Sequence, residues 1–121
     1  MSDGWQRWVF LAGRLLLAQL FALGVVQKIT DPAAAMALLA ERGLPEILIW
    51  PAAAFNAVAA VALVIGWRLT PIAFLVAAYC VATSVFHWKP DDPWQMTIVV
   101  KNWAIAGGAL ILAACARPVS R

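Results

Sequence analysis

The chain has 121 residues, of which 64% are hydrophobic, with a mean hydropathy of +0.85 and a formal net charge of +3. Soluble domains are about 45–50% apolar and short chains bury only part of their surface, so we predict a membrane protein. The positive charges are scattered between apolar blocks and form no basic patch, which excludes nucleic acid as a partner.

Four apolar blocks along the chain are each close to the ~20 residues that a membrane-spanning helix needs. They predict spanning helices at residues 8–26, 47–66, 71–88 and 94–116. Tryptophans lie near the ends of these blocks, as expected for side chains that anchor a helix at the lipid–water interface. One tryptophan, Trp103, lies inside the fourth block instead.

The stretch between the first two blocks predicts a short helix over residues 32–42. Asp31 suits the N-cap, Pro32 the first helical position and Gly43 the C-terminal cap. This helix is too short to span a bilayer, so we expect it in the membrane interface or against the bundle. The remaining loops are short and force antiparallel neighbours. The predicted fold class is therefore all-α, an integral membrane antiparallel four-helix bundle forming a single transmembrane domain, residues 1–121.

The basic residues outside the spans give a small preference for one orientation. The side that holds both termini carries Arg7, Arg68, Arg117 and Arg121. The opposite side carries Lys28, Arg42 and Lys89. Because Lys and Arg are enriched in cytoplasmic loops, we expect both termini to lie in the cytoplasm.

Six polar residues within the spans or at their ends are candidates for binding a ligand. They are Arg14, Gln19, Asn56, His87, Lys101 and Asn102. Ionisable residues in a span usually face the bundle interior or pair with one another. Both intramembrane charges are basic, however, and no Asp or Glu lies inside the four predicted blocks. Each cation therefore needs a loop acid such as Glu46, a helix carbonyl, water, a lipid phosphate or an acceptor on a ligand.

Helical spacing places these cations beside small residues. One stripe contains Arg14, Ala18 and Ala22; a second contains Lys101, Ala104 and Gly108; the stripe next to it contains Asn102, Ala106, Ala109 and Ala113. Small residues at four-residue spacing allow helices to approach closely in lipid. We therefore expect these faces to turn toward other helices and to enclose a polar pocket.

Each candidate also has a purely structural interpretation that the sequence leaves open. Arg14 and Lys101 have side chains long enough to extend toward the headgroups. Gln19 and Asn56 suit hydrogen bonds between helices. His87 stands next to a polar turn and suits the membrane interface.

The sequence predicts no catalytic residues, because no nucleophile–base pair, carboxylate dyad or phosphate loop can be assembled. Cys80 and Cys115 lie in apolar blocks at different depths and are interpreted as small buried hydrophobic residues. One histidine and no Cys-x-x-Cys pair give no metal or haem motif. A basic pocket at depth suits an electronegative group, such as a quinone carbonyl or an anionic lipid.

Four segments carry a family resemblance: "GRLLLAQLFALGVVQKITD", "MALLAERGLP", "VATSVFHW" and "QMTIVVKNWAIAGGALIL". Their order resembles the DoxX family of small four-helix bacterial membrane proteins. The resemblance implies an inner-membrane protein with a link to redox metabolism, since relatives include the membrane subunit of a thiosulfate:quinone oxidoreductase and members of thiol and oxidative-stress complexes. The family pattern often has an acid in its second helix, where this chain has Asn56, which implies that a carboxylate partner for the cations is missing.

Two interpretations of function follow. In the first, the chain is a redox-linked accessory or oxidoreductase subunit, in which Arg14 and Lys101 supply charge and the other four candidates orient a quinone-like or anionic ligand. In the second, it is a non-catalytic structural or assembly subunit, with membrane lipid and other membrane proteins or copies of itself as partners. Whether the chain is an enzyme stays open. A Lys101 that points into a cavity favours the first, and one that points to lipid or a neighbouring chain favours the second.

Overall fold

The computed structural model describes residues 4–116, and every regular element in this range is helical. The α-helices are α1 (Gly4–Thr30), α2 (Pro32–Glu41), α3 (Ile49–Ile65), α4 (Leu69–Thr83) and α5 (Pro93–Cys115). The 3₁₀ turns Glu46–Leu48 and Ser84–His87 extend α3 and α4. Four segments are long and apolar enough to cross a membrane: Gly4–Thr30, Glu46–Ile65, Leu69–His87 and Pro93–Cys115. These findings confirm the predicted all-α class with four spans and one short helix.

The first helix is longer than the predicted span. It continues to Thr30 and includes Lys28, because no helix-breaking residue precedes the Asp31–Pro32 pair. Two of the charges behind the predicted orientation, Arg117 and Arg121, lie outside the described residues.

The chain divides into two compact units, Met1–Trp67 and Arg68–Arg121. In the first unit, α1 packs antiparallel to α3. Phe21 of α1 contacts Phe55 of α3, and Arg14, two helical turns before Phe21, contacts Leu63 near the end of α3. The two phenylalanine rings pack edge to face, with centroids 6.4 Å apart. Half of the buried residues of the two helices are alanine: Ala18, Phe21, Ile49, Ala53, Asn56, Ala59, Ala62 and Leu63. Small side chains of this kind let the helix backbones approach closely.

Two glycines end helices of the first unit in the left-handed conformation. Gly43 has a φ of +71° and follows α2, where Gly43 N–H bonds to Ala40 and Leu44 N–H bonds to the Leu39 carbonyl. This pair of bonds is the Schellman pattern, which confirms the predicted C-terminal cap. Gly66 has a φ of +82° and ends α3.

In the second unit, α4 packs antiparallel to α5. The Thr70 hydroxyl at the start of α4 donates to the Ala116 carbonyl at the end of α5, 3.1 Å away. At the other end, His87 meets Gln95. The buried residues are again mostly small: Ile72, Ala73, Val76, Ala77, Cys80, Val99, Ala106, Ala109, Leu112 and Ala113. The Asp92 carboxylate accepts hydrogen bonds from the Trp94 and Gln95 amides, so the polar turn also caps α5.

Candidate functional site

Arg14 lies on α1 against the last turn of α3. Its Nε donates to the Leu63 carbonyl at 2.9 Å, and its Nη2 donates to the Val64 carbonyl at 2.8 Å. The last carbonyls of a helix have no partner within the helix, and the left-handed turn at Gly66 directs its own N–H to Ala62. The guanidinium therefore satisfies two such carbonyls at the negative end of the helix dipole.

Two further contacts hold the Arg14 guanidinium in place. Its Cζ lies 5.9 Å from the centre of the Phe10 ring, within the range of a cation–π interaction. A β-carbon on Gly66 would come within 3.2 Å of Nη2, so the glycine leaves room for the charge. Of the partners that the sequence left open for this cation, the structure shows helix carbonyls.

Asn56 lies on the buried face of α3, with 2% of its surface exposed. Its Oδ1 has no hydrogen-bond donor among the described residues. A β-carbon on Gly24 of α1 would lie 3.0 Å from this oxygen, so the amide fits only because that helix position has no side chain. Gln19, the other amide among the predicted site residues, is exposed.

Lys28 borders the same spot and was not among the predicted site residues. Its Nζ lies 3.7 Å from the position that a Gly24 β-carbon would take. Helical side chains lean toward the helix N-terminus, so a lysine four residues after a glycine naturally covers it. The Gly24–Lys28 spacing opposite a polar residue on the next span is the signal that sequence reasoning overlooked.

Lys101 is exposed on α5, and so are Ala104 and Gly108, which share its stripe. The prediction that this stripe turns inward within the chain is therefore not met. The neighbouring stripe behaves as predicted, with Asn102 half-buried and its three alanines, Ala106, Ala109 and Ala113, buried.

His87 is half-buried at the end of the 3₁₀ turn that follows α4. Its Nδ1 lies 2.8 Å from Oε1 of Gln95. Because a carbonyl oxygen only accepts, Nδ1 donates its hydrogen, and Nε2 of the neutral ring is left as an acceptor. Nearby in sequence, the Trp88 ring stacks on Trp103 with centroids 6.4 Å apart, which gives the tryptophan inside the fourth span a partner.

The six predicted residues divide between the two units. Arg14, Gln19 and Asn56 belong to the first, and His87, Lys101 and Asn102 belong to the second. Arg14 and Asn56 both lie at the α1–α3 interface. Arg14 contacts Leu63 of α3, which is two helical turns after Asn56. A shared pocket for all six residues stays a prediction, as does the pairing of Lys101 with Glu46.

One groove lies along α3 and has a volume of about 440 Å³. Its lining is apolar and consists of Ala57, Val58, Val61, Ala62, Ile65 and Trp67. None of the six predicted residues lines it. Within residues 4–116, no group of three His, Cys, Asp or Glu side chains is placed to hold a metal ion.

A protein-family model described as DoxX matches residues 9–88, about two thirds of the chain. This range takes in the first three spans and ends just after His87. Neither the curated proteins nor the solved structures contain a significant match to this sequence.

Proposed function

This chain belongs to the DoxX family, and we propose that it acts as a redox-linked accessory or quinone-associated oxidoreductase subunit of the bacterial inner membrane. Its four apolar helices suit a multi-pass membrane protein. The proposal places the ligand against the basic and polar residues of the spans, with Lys101 as the principal contact.

The exposed ammonium of Lys101 is the observation that carries the proposal. It lies in a candidate span, Pro93–Cys115, and neither this helix nor α4 contains an acidic residue. A lysine within a span is costly unless an electronegative group faces it. A quinone carbonyl or an anionic lipid headgroup meets this need from outside the chain.

His87 and Asn102 complement Lys101 chemically. A quinone accepts hydrogen bonds, whereas its reduced form also donates them, so a site that serves both forms needs donors and an acceptor. Lys101 and the Asn102 amide supply donors, and the free Nε2 of His87 supplies an acceptor. Arg14 belongs to the other unit, where its Nε and Nη2 already donate to carbonyls of α3.

The second candidate function is a structural or assembly subunit, and the same exposed stripe favours it. Lys101, Ala104 and Gly108 present a cation and small residues on one face of α5. Such a face suits close packing against a helix of another membrane protein that carries a carboxylate. On this alternative, Lys101 pairs with a partner protein instead of a quinone.

One experiment tests both candidate functions. The protein is purified in mild detergent, the particle is analysed by native mass spectrometry, and the extracted quinone and lipid are quantified. For a quinone-associated subunit, we expect Lys101→Met to lower the co-purified quinone by about tenfold, the loss of one charge-assisted hydrogen bond, while Lys101→Arg retains it. For an assembly subunit, we expect Gly108→Leu to release a protein partner and leave the quinone unchanged.

The two outcomes separate the candidates because Gly108 lies on the exposed stripe without being charged. A wild-type protein recovered as an empty monomer, with the same behaviour in Lys101→Met, contradicts both functions.

A further inference from the structure

Asn56 carries a buried side-chain oxygen that no donor among the described residues satisfies. The residue is 2% exposed, and the oxygen is Oδ1. A buried carbonyl oxygen without a donor is destabilising, and in native proteins such atoms are nearly always bonded to protein or to ordered water. Something that donates a hydrogen bond therefore belongs beside Oδ1.

The Lys28 ammonium is directed to the same place. Lysines near the end of a span ordinarily extend their ammonium outward to the interface. Lys28 does the opposite, since its Nζ folds back one helical turn along α1 to lie near Gly24. Lys28 does not donate to Oδ1 of Asn56.

The bare backbone of Gly24 completes the arrangement. The position of its absent β-carbon is 3.0 Å from the Asn56 oxygen and 3.7 Å from the Lys28 nitrogen. Donor and acceptor thus border one small space between α1 and α3. Gly13, on the same helix, has nothing within 4 Å of the corresponding position, so the crowding is local to Gly24.

We propose that Gly24, Lys28 and Asn56 form a binding site for a hydroxyl group, which accepts a hydrogen bond from Lys28 Nζ and donates one to Asn56 Oδ1. A hydroxyl is the simplest group that does both. A lipid phosphodiester or a quinone carbonyl accepts from Lys28 but has no proton to donate to Oδ1, and an ammonium group donates to Oδ1 but is repelled by Lys28.

The hydroxyl comes either from water or from a membrane-soluble phenol, such as a hydroquinone. The site shares Asn56 with the proposed function but does not depend on it, because water fills it equally well in a protein without a redox role.

Solution NMR of the 13.1 kDa chain in detergent micelles, with labelled Asn and Lys side chains, tests the proposal. The probes are tetramethylhydroquinone, held reduced, and its dimethyl ether, which has the same ring but no O–H donor. If a phenol occupies the site, the hydroquinone shifts the side-chain signals of Asn56 and Lys28 and the ether does not. If water occupies it, neither compound shifts them and the Asn56 amide shows cross-relaxation with a long-lived water.

Matched variants show whether the hydroquinone shift or the water signal comes from this site. Gly24→Ala and Lys28→Met are expected to weaken hydroquinone binding about tenfold or to remove the water signal, whereas Gly13→Ala leaves either unchanged. Asn56→Leu removes the acceptor at similar volume and is expected to abolish the hydroquinone-dependent shift of the Lys28 side chain while the chain stays folded. Equal binding of hydroquinone and ether, or a direct Lys28–Asn56 contact with no water signal, overturns the proposal without bearing on Lys101.

Discussion

At the scale of single residues, Arg14 shows how an arginine within a membrane span is accommodated without a carboxylate. Its fork of donors matches two adjacent carbonyls of α3, those of Leu63 and Val64. These carbonyls have no partner within the helix because they lie in its last turn. The arginine therefore satisfies both its own donors and two helix carbonyls. The interaction ties α1 to α3 at one end of their interface.

Replacing Arg14 tests this role. We expect Arg14→Met to lower the free energy of unfolding by roughly 1–3 kcal/mol, because two helix-end carbonyls, one of them in a part-buried hydrogen bond, lose a charged donor. The free energy of unfolding of Arg14→Lys is expected to lie between those of the wild type and Arg14→Met, since an ammonium keeps the charge but not the two parallel donors of the guanidinium. Unfolding in mixed detergent micelles, titrated with a denaturing detergent, measures the difference.

Arg7 provides the control, because it is an exposed arginine on the same helix. Arg7→Met should leave stability within a few tenths of a kcal/mol of the wild type, as for most surface changes. Equal losses in Arg7→Met and Arg14→Met would show that the α3 carbonyls do not depend on Arg14.

At the scale of helices, two of the C-terminal ends are formed by glycines in the left-handed backbone conformation. Gly43 ends α2 and Gly66 ends α3, and both have positive φ. They differ in what surrounds them: nothing lies within 4 Å of a β-carbon on Gly43, whereas Arg14 Nη2 lies 3.2 Å from one on Gly66. The two positions therefore separate backbone strain from crowding.

We expect Gly43→Ala to cost roughly 1 kcal/mol, the strain of a non-glycine residue in the left-handed region. Gly66→Ala should cost more, because the new methyl group also displaces the guanidinium from its two carbonyls. The same detergent titration measures both variants. In the Arg14→Met background the excess cost of Gly66→Ala should disappear, and an excess that persists would mean that Arg14 is not its cause.

At the scale of the whole molecule, the four spans determine which ends of the chain share a side of the membrane. Four crossings would place both ends of the chain on the same side. The predicted orientation rests on four basic residues against three, and Lys28, one of the three, lies within α1 in the structure, so the choice of side depends on a small electrostatic preference.

Reporter fusions test this topology. We expect a cytoplasm-dependent fluorescent protein to be active when it is fused after Arg121 and inactive when it is inserted after Pro90, in the turn between α4 and α5. A reporter that requires the outer compartment should give the reverse pattern. Activity after Arg121 only outside the cytoplasm would contradict the predicted orientation, while equal activity at both positions would contradict the number of spans.

Much of the fold follows from sequence because lipid imposes local requirements. Each span must be long and apolar and must satisfy its own backbone hydrogen bonds, so length and hydropathy are sufficient to find it. Caps are predicted less evenly: Gly43 ends α2 as predicted, whereas the side chain of Asp31, the predicted N-cap of the same helix, makes no capping hydrogen bond. The ends of a span are harder to predict than its presence, as α1 shows. An apolar helix can continue beyond the bilayer until it reaches a helix-breaking sequence such as Asp31–Pro32.

The candidate site is a different case, because its contacts join positions far apart in the chain. Arg14 meets residues 49 and 50 positions later, and Asn56 meets Gly24 across the same interface. The period of small residues predicted two packing stripes on α5, yet only the Asn102 stripe is buried while the Lys101 stripe is exposed. Both stripes satisfy the same local rule.

The membrane class, the four spans, the short helix and the family resemblance could all be read from the sequence, since these depend on composition and on residues close together in the chain. Three features needed the packed helices: Arg14 capping α3, the buried Asn56 oxygen without a donor among the described residues, and the Lys28 ammonium beside Gly24. The physical reason is that helix rotation and side-chain direction are set by packing between helices, and a uniformly apolar helix carries little signal of which face is buried.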